Sequence, residues 1–157
     1  MAIYDVAIVG AGVTGSAVAR ELSRRKGRFV VLERALDVCE GTSKANSAIM
    51  HAGFDAEPGT MKAKMNVRGN QMMDQLSGEL DIPFRRVGAF VVCFSKEELP
   101  KLKELYDRGV ANGVSGMELL TGEQARALEP NLSEEVEGAL LAHTSGIVCP
   151  FELTLGL

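Results

Sequence analysis

Near the N-terminus, apolar residues come in two short runs, Val6-Ala7-Ile8-Val9 and Phe29-Val30-Val31-Leu32, with a helical pattern between them. From Val13 to Lys26, positions Val13, Ala17, Val18 and Leu22 fall on one face, and Ser16, Arg20, Glu21, Arg24 and Arg25 lie largely off it. Gly27 then supplies a stop. The pattern predicts strand, helix, strand: a βαβ unit. Residues 34–60 show no periodicity. Pro58 and Gly59 then open a long helical pattern in which Met61, Met65, Met72, Met73, Leu76 and Leu80 recur at helical spacing. This methionine stripe reads as core, since thioethers fill irregular gaps, and Lys62, Lys64 and Arg68 read as a solvated face. Residues 85–94 predict one strand or two. Ser95-Lys96-Glu97-Glu98 has the form of a capping box, opening a helix through Leu99, Leu102, Leu105 and Tyr106 that ends near Asn112-Gly113. A strand is expected at Met117–Leu120, and a second capping box at Thr121-Gly122-Glu123-Gln124 opens a short helix stopped before Pro130. Gly138–His143 reads as a strand, and Ser145–Val148 leads into a helix beginning at Pro150.

One βαβ unit followed by a mixed α+β region gives the α/β class. Two parallel strands do not make a stable doubly wound sheet by themselves, so further strands are expected from downstream sequence or another chain. The last residues read as a helix that stops without a cap, and the chain is expected to be a fragment of a longer protein. Its 157 residues are the length of one domain. A net charge of −4 with mixed signs argues against a nucleic-acid surface. No apolar stretch approaches the length of a membrane span, which leaves room only for peripheral membrane contact. A core strand starts within a few residues of Met1, leaving no room for a signal peptide, so the cytoplasm is the expected compartment. Cys39, Cys93 and Cys149 are odd in number and far apart, and read as reduced thiols rather than disulfides or metal ligands; no metal site is expected.

The candidate chemistry lies between the first strand and the first helix, where Gly10-Ala11-Gly12-Val13-Thr14-Gly15 has the spacing G-x-G-x-x-G. Gly10 allows a sharp turn off the strand, Gly12 lets backbone approach a pyrophosphate, and Gly15 lets the helix lie close to the sheet. The helix N-terminus then offers unpaired N–H groups and the positive end of its dipole to an anion. No Gly-Lys-Ser/Thr ending follows, which argues against a P-loop. Glu33 closes the second strand, where a carboxylate accepts the hydroxyls of an adenosine ribose and repels a 2′-phosphate; Arg34 beside it leaves a small opening for one. The polar loop through Gly41, Thr42, Ser43, Asn46, Ser47, His51 and Gly53 follows the nucleotide motif closely enough to wrap the rest of a cofactor, though the same residues are ordinary turn formers.

These residues carry a specific resemblance. Val9–Gly15, Leu32-Glu33-Arg34, Asn46-Ser47 with His51-Ala52-Gly53, Pro58–Ala63, Glu129–Leu132 and Ser145–Val148 together resemble the D-amino-acid-oxidase-like flavoproteins, in the branch of FAD-dependent glycerol-3-phosphate dehydrogenases and L-2-hydroxyglutarate dehydrogenases. The resemblance covers nearly the whole chain but only the N-terminal part of a family member. It implies FAD rather than NAD, with Gly10, Gly12 and Gly15 at the pyrophosphate and Glu33 and Arg34 at the adenosine ribose. Thr42, Ser43, Asn46 and Ser47 would face toward the isoalloxazine. It also implies a Rossmann-type FAD-binding βαβ unit in residues 1–60 and, in 61–157, part of an α+β substrate domain. The implied reaction is hydride removal from a small anionic hydroxy compound, with glycerol 3-phosphate ahead of L-2-hydroxyglutarate, and an unidentified electron acceptor as second partner. A neutral imidazole suits the base this chemistry needs, and His51 is the candidate; His143 reads as structural. The rival readings are a nucleotide-binding module that does not catalyse and an NAD-binding regulatory domain. Self-association through unpaired sheet edges is expected of the isolated chain.

Overall fold

The computed structural model describes residues 3–157 and divides into two compact units. The first comprises the chain up to Ile49 together with Asp74–Phe84 and Val148–Leu157; the second comprises Met50–Met73 and Arg85–Ile147. A single boundary at residue 60 therefore does not describe these units, because segments distant in sequence return to each of them.

In the first unit, β1 (Val6–Val9) and β2 (Phe29–Leu32) pair in parallel, with Val6 opposite Phe29 and Val9 opposite Leu32. Helix α1 (Val13–Ser23) makes the crossover and packs on both strands and on α5 (Pro150–Gly156). The predicted βαβ unit is thus present, with two differences. Helix α1 ends at Ser23, short of Lys26, with Arg24 as its C-cap, and its less exposed side is Gly15, Ser16, Ala19 and Leu22, while Ala17 and Val18 stay exposed. A two-stranded sheet is too narrow to cover a full apolar stripe. The salt bridges of Arg20 and Arg24 to Glu79 hold α1 to the last turns of α2 (Met61–Leu80).

The second unit is built on an antiparallel sheet. Strands β5 (Ala89–Cys93), β6 (Met117–Thr121) and β7 (Gly138–Ala142) take the order β5-β7-β6, and Leu140 lies opposite both Val91 and Leu119. Every residue of β7 is buried, as befits a central strand. Helices α3 (Leu99–Asn112) and α4 (Gly122–Leu128) pack on the sheet, and the core gathers Ala52, Phe54, Cys93, Leu102, Leu140 and Ala142. Helix α3 ends at Gly113, which takes φ +80 and lets Val114 N–H donate to Gly109 O at 2.9 Å, a Schellman closure. The short strands β3 (Ile49–Met50), β4 (Phe84–Arg85) and β8 (Gly146–Val148) lie where the chain passes from one unit to the other.

The two capping boxes fare differently. At α4 both halves form: the Thr121 hydroxyl accepts from Gln124 N–H at 3.2 Å, and the Gln124 side chain accepts from Thr121 N–H at 2.9 Å. At Ser95 the box does not close. A 3₁₀ turn over Lys96–Glu98 precedes α3, the Ser95 side chain caps nothing, and Glu98 reaches past it to accept from Phe94 N–H at 3.0 Å. The methionine stripe of α2 is also corrected. Met61, Met65 and Met72 are 67%, 49% and 49% exposed, and the buried residues of the helix are Ala63, Asn70 and Met73.

Candidate functional site

In the first unit, the C-terminal ends of β1 and β2 open into a cleft of about 680 Å³ lined by Val9, Gly10, Gly12, Glu33, Arg34, Thr42 and Ser43 among others. Such a position, beyond the carboxyl ends of parallel strands, is where this topology binds ligands. Gly10 turns off β1 at φ +98, with its N–H bonded to Leu32 O at 2.7 Å. A Cβ placed on Gly10 would meet no protein atom within 4 Å. Gly15 is different: its Cβ would lie 1.9 Å from Gly10 O, so the helix approaches the loop as closely as backbone allows. A Cβ on Gly12 would lie 2.9 Å from Ser43 Oγ.

Two side chains finish the loop. Ser43 Oγ accepts from Val13 N–H at 3.0 Å and so caps α1 from a distant segment, the N-cap residue Gly12 having no side chain to do so. Glu33 accepts from Ala11 N–H at 2.7 Å through one oxygen and from Ala35 N–H at 2.9 Å through the other. These N–H groups, Ala11 first, hold its carboxyl below the ordinary value of 4.5 against a smaller opposing effect of desolvation, and Arg34 adds to the lowering. Each carboxylate oxygen keeps a further lone pair for a hydroxyl in the cleft.

The loop that follows is folded by Asn46. Its Nδ2 donates to Ser43 O at 2.7 Å and Thr42 O at 3.3 Å, and its Oδ1 accepts from Ala48 N–H at 2.8 Å. Asn46 therefore shapes the wall carrying Thr42 and Ser43. Neither it nor Gly15 nor Ser47 lines the cleft.

His51 belongs to the second unit, where it lines a smaller cleft of about 430 Å³ with Phe54, Asp55, Lys62, Asn66 and Leu105. Its side chain is exposed, but the loop it begins is not: Ala52, Gly53, Phe54 and Ala56 are buried. Four carbonyls of this irregular segment are taken by side chains from helices α2 and α3. Asn70 donates to His51 O at 3.0 Å, Asn112 to Gly53 O at 2.9 Å and Ala56 O at 2.7 Å, and Arg108 to Asp55 O at 2.9 Å. Sequence patterns point to none of these donors. His143 pairs with Glu118 at 3.2 Å on the edge of the sheet, away from that cleft's lining.

A parallel strand-helix-strand unit with a glycine-lined, carboxylate-edged cleft defines a dinucleotide-binding protein of the Rossmann class. Residues 5–157 match the family described as "DAO: FAD dependent oxidoreductase", and the chain belongs to that family. It is 47% identical over 155 residues to a glycerol 3-phosphate dehydrogenase of Caloramator mitchellensis, covering 99% of this chain and 32% of that protein. It is 39% identical over 153 residues to the mitochondrial L-2-hydroxyglutarate dehydrogenase of Arabidopsis thaliana, covering 98% and 31%. Among solved structures, the FAD-bound, dithionite-reduced L-alpha-glycerophosphate oxidase of Mycoplasma pneumoniae matches with a TM-score of 0.94 at 31% identity, covering 99% of this chain and 41% of that one. The chain thus spans about a third of the curated relatives it matches. The donor set fits the family's cofactor: open space over Gly10, Gly12 on the cleft wall and a charged carboxylate at Glu33 are what an adenosine diphosphate moiety needs.

Proposed function

We propose that the chain is the N-terminal part of an FAD-dependent dehydrogenase that oxidises the CH–OH group of a small anionic compound, with glycerol 3-phosphate as substrate and L-2-hydroxyglutarate as the second candidate. The glycine cleft edged by Glu33 carries the reading, and the 47% and 39% identities to dehydrogenases of those two compounds give the order of preference.

Gly10 and Gly12 present backbone to the pyrophosphate, Gly15 brings α1 close enough for its N-terminus to face it, and Glu33 takes the ribose hydroxyls with Arg34 beside it. Thr42 and Ser43 line the continuation of the cleft, on a wall that Asn46 folds. Bound FAD supplies the two-electron acceptor. His51 holds the place of the base that takes the hydroxyl proton, as a neutral imidazole can at physiological pH. The contacts to the substrate's anionic group are assigned mainly to the part of the relatives' length that this chain does not span.

The test is the visible spectrum of the full-length polypeptide, recorded anaerobically before and after adding glycerol 3-phosphate and, separately, L-2-hydroxyglutarate. Flavin bands bleached by glycerol 3-phosphate are the expected result. Bleaching by L-2-hydroxyglutarate alone would move the substrate to the second candidate, and flavin bands that neither compound bleaches would discard both. A colourless protein that refuses added FAD would return the chain to the class of non-catalytic or NAD-binding modules.

A further inference from the structure

A buried asparagine in the middle of a helix needs an explanation, because its amide must find partners for two donors and an acceptor away from water. Asn70 is 4% exposed and finds them all. Its Nδ2 donates to His51 O at 3.0 Å and to Thr144 O at 2.9 Å, and its Oδ1 accepts from Arg86 Nη1 at 3.0 Å. Arg86 also donates to Asn70 O at 2.8 Å through Nη2, and to Thr144 O. The guanidinium thus grips the amide and its backbone together, fixing which way the amide faces. Of the four carbonyls clamped in the His51–Ala56 loop, the one set by this pair is that of His51 itself. The side chain of His51 is exposed while its backbone carbonyl is tied to the buried Asn70 amide, whose own partners are all in place, so the ring's point of attachment is held and its outer face is exposed.

We infer that Asn70, oriented by Arg86, is a positioning residue that aims His51 for proton removal. This rests on the reading of His51 as the base. The alternative role for Asn70 is purely structural, satisfying carbonyls of a buried loop. The two roles separate by experiment, since a positioning residue loses its effect when the residue it positions is gone.

The experiment uses the FAD-loaded full-length polypeptide with Asn70→Ala, Arg86→Lys, His51→Asn and the double variant Asn70→Ala/His51→Asn. The rate constant for anaerobic flavin reduction is measured with whichever of the two substrates bleaches the flavin, and the histidine ring 1H–15N spectrum is recorded without substrate. The expected result for Asn70→Ala is a fall of about 10- to 100-fold in the limiting reduction rate with little change in substrate half-saturation. Arg86→Lys should cause a smaller fall of the same kind, and it carries the test if Asn70→Ala does not fold. In the His51→Asn background, Asn70→Ala should cost less than about twofold. The His51 ring resonance, identified by its loss in His51→Asn, should move and broaden in Asn70→Ala while that of His143 stays. Equal losses from Asn70→Ala with and without His51, or an unmoved His51 resonance, would overturn the positioning role alone. A His51→Asn variant that reduces its flavin at the unaltered rate would overturn the base assignment, and the positioning role with it.

Discussion

Replacing Gly15 with alanine tests the closest approach in the nucleotide motif. The added Cβ would sit 1.9 Å from the carbonyl oxygen of Gly10. An unstrained contact needs at least about 3 Å, so helix and loop must separate by about 1 Å. Both partners are backbone, held by Gly10 N–H to Leu32 O at 2.7 Å on one side and the first turn of α1 on the other, so no rotamer change can relieve the clash. Overpacking of this kind costs about 1–3 kcal/mol, and with rigid partners the upper end is expected. Gly12→Ala is the internal comparison. Its Cβ would meet Ser43 Oγ at 2.9 Å, and that hydroxyl can rotate away at the loss of the cap on Val13 N–H, which is worth about 1 kcal/mol. Urea denaturation of the FAD-free full-length polypeptide, followed by far-ultraviolet circular dichroism, should therefore rank Gly15→Ala well below Gly12→Ala. FAD titration of the folded proteins should find the affinity of Gly12→Ala reduced, because its Cβ displaces the Ser43 hydroxyl that lines the cleft. If Gly15→Ala unfolds at the same urea concentration as Gly12→Ala, close helix packing is not what requires glycine at position 15.

Glu33, read as the ribose ligand, should set an acid limit on cofactor binding. Its carboxyl is held below the ordinary value of 4.5 in the folded protein, so the carboxylate persists as the pH falls through that value and is lost only as the pH falls through the lower folded value. FAD release followed by flavin fluorescence should rise in that acid window and lose its pH dependence there in Glu33→Gln, which should also bind FAD more weakly at pH 7. Thr121→Ala removes one half of the capping box at α4 and should cost about 1 kcal/mol in denaturant unfolding, whereas Ser95→Ala, which removes no cap, should cost less than about 0.5 kcal/mol. Leu140→Ala, at a fully buried position in the central strand, should cost about 2–5 kcal/mol in the same assay. The isolated chain should self-associate with increasing concentration in sedimentation velocity, because Val6, Val9, Val31 and Leu32 of the two-stranded sheet are 39%, 86%, 40% and 53% exposed; a monodisperse monomer would contradict this.

The features legible in the sequence are those whose cause is local. The two strands, the glycine turn and the helix of residues 6–32 appear where the pattern puts them, save that α1 ends at Ser23, short of Lys26. The box at Thr121 is local in the same sense. The one at Ser95 matches in residue type but fails because a 3₁₀ turn tightens the entry to α3 and hands Glu98 to a different N–H. Helical faces are less secure, since periodicity gives the spacing of a stripe and not what covers it. In α2 the methionines carry the period, yet the buried positions are Ala63, Asn70 and Met73. In α1 the less exposed positions are Gly15, Ala19 and Leu22, and Val18 is left bare.

The same division runs through the site. The glycine loop is recognisable because backbone geometry alone demands glycine there: Gly10 needs its φ of +98, and Gly15 must lie against Gly10. The loop that carries His51 obeys a different constraint. Its buried carbonyls must be satisfied, but any donor that reaches them will serve, and those used come from Asn70, Arg108 and Asn112, on helices far along the chain. Nothing about an asparagine flanked by Gly69 and Gln71 distinguishes it from a solvated one until the fold brings Arg86 against it. A cofactor cradle built from backbone is therefore written in a short motif. The anchoring of the His51 loop, built from distant polar contacts, becomes visible only in three dimensions.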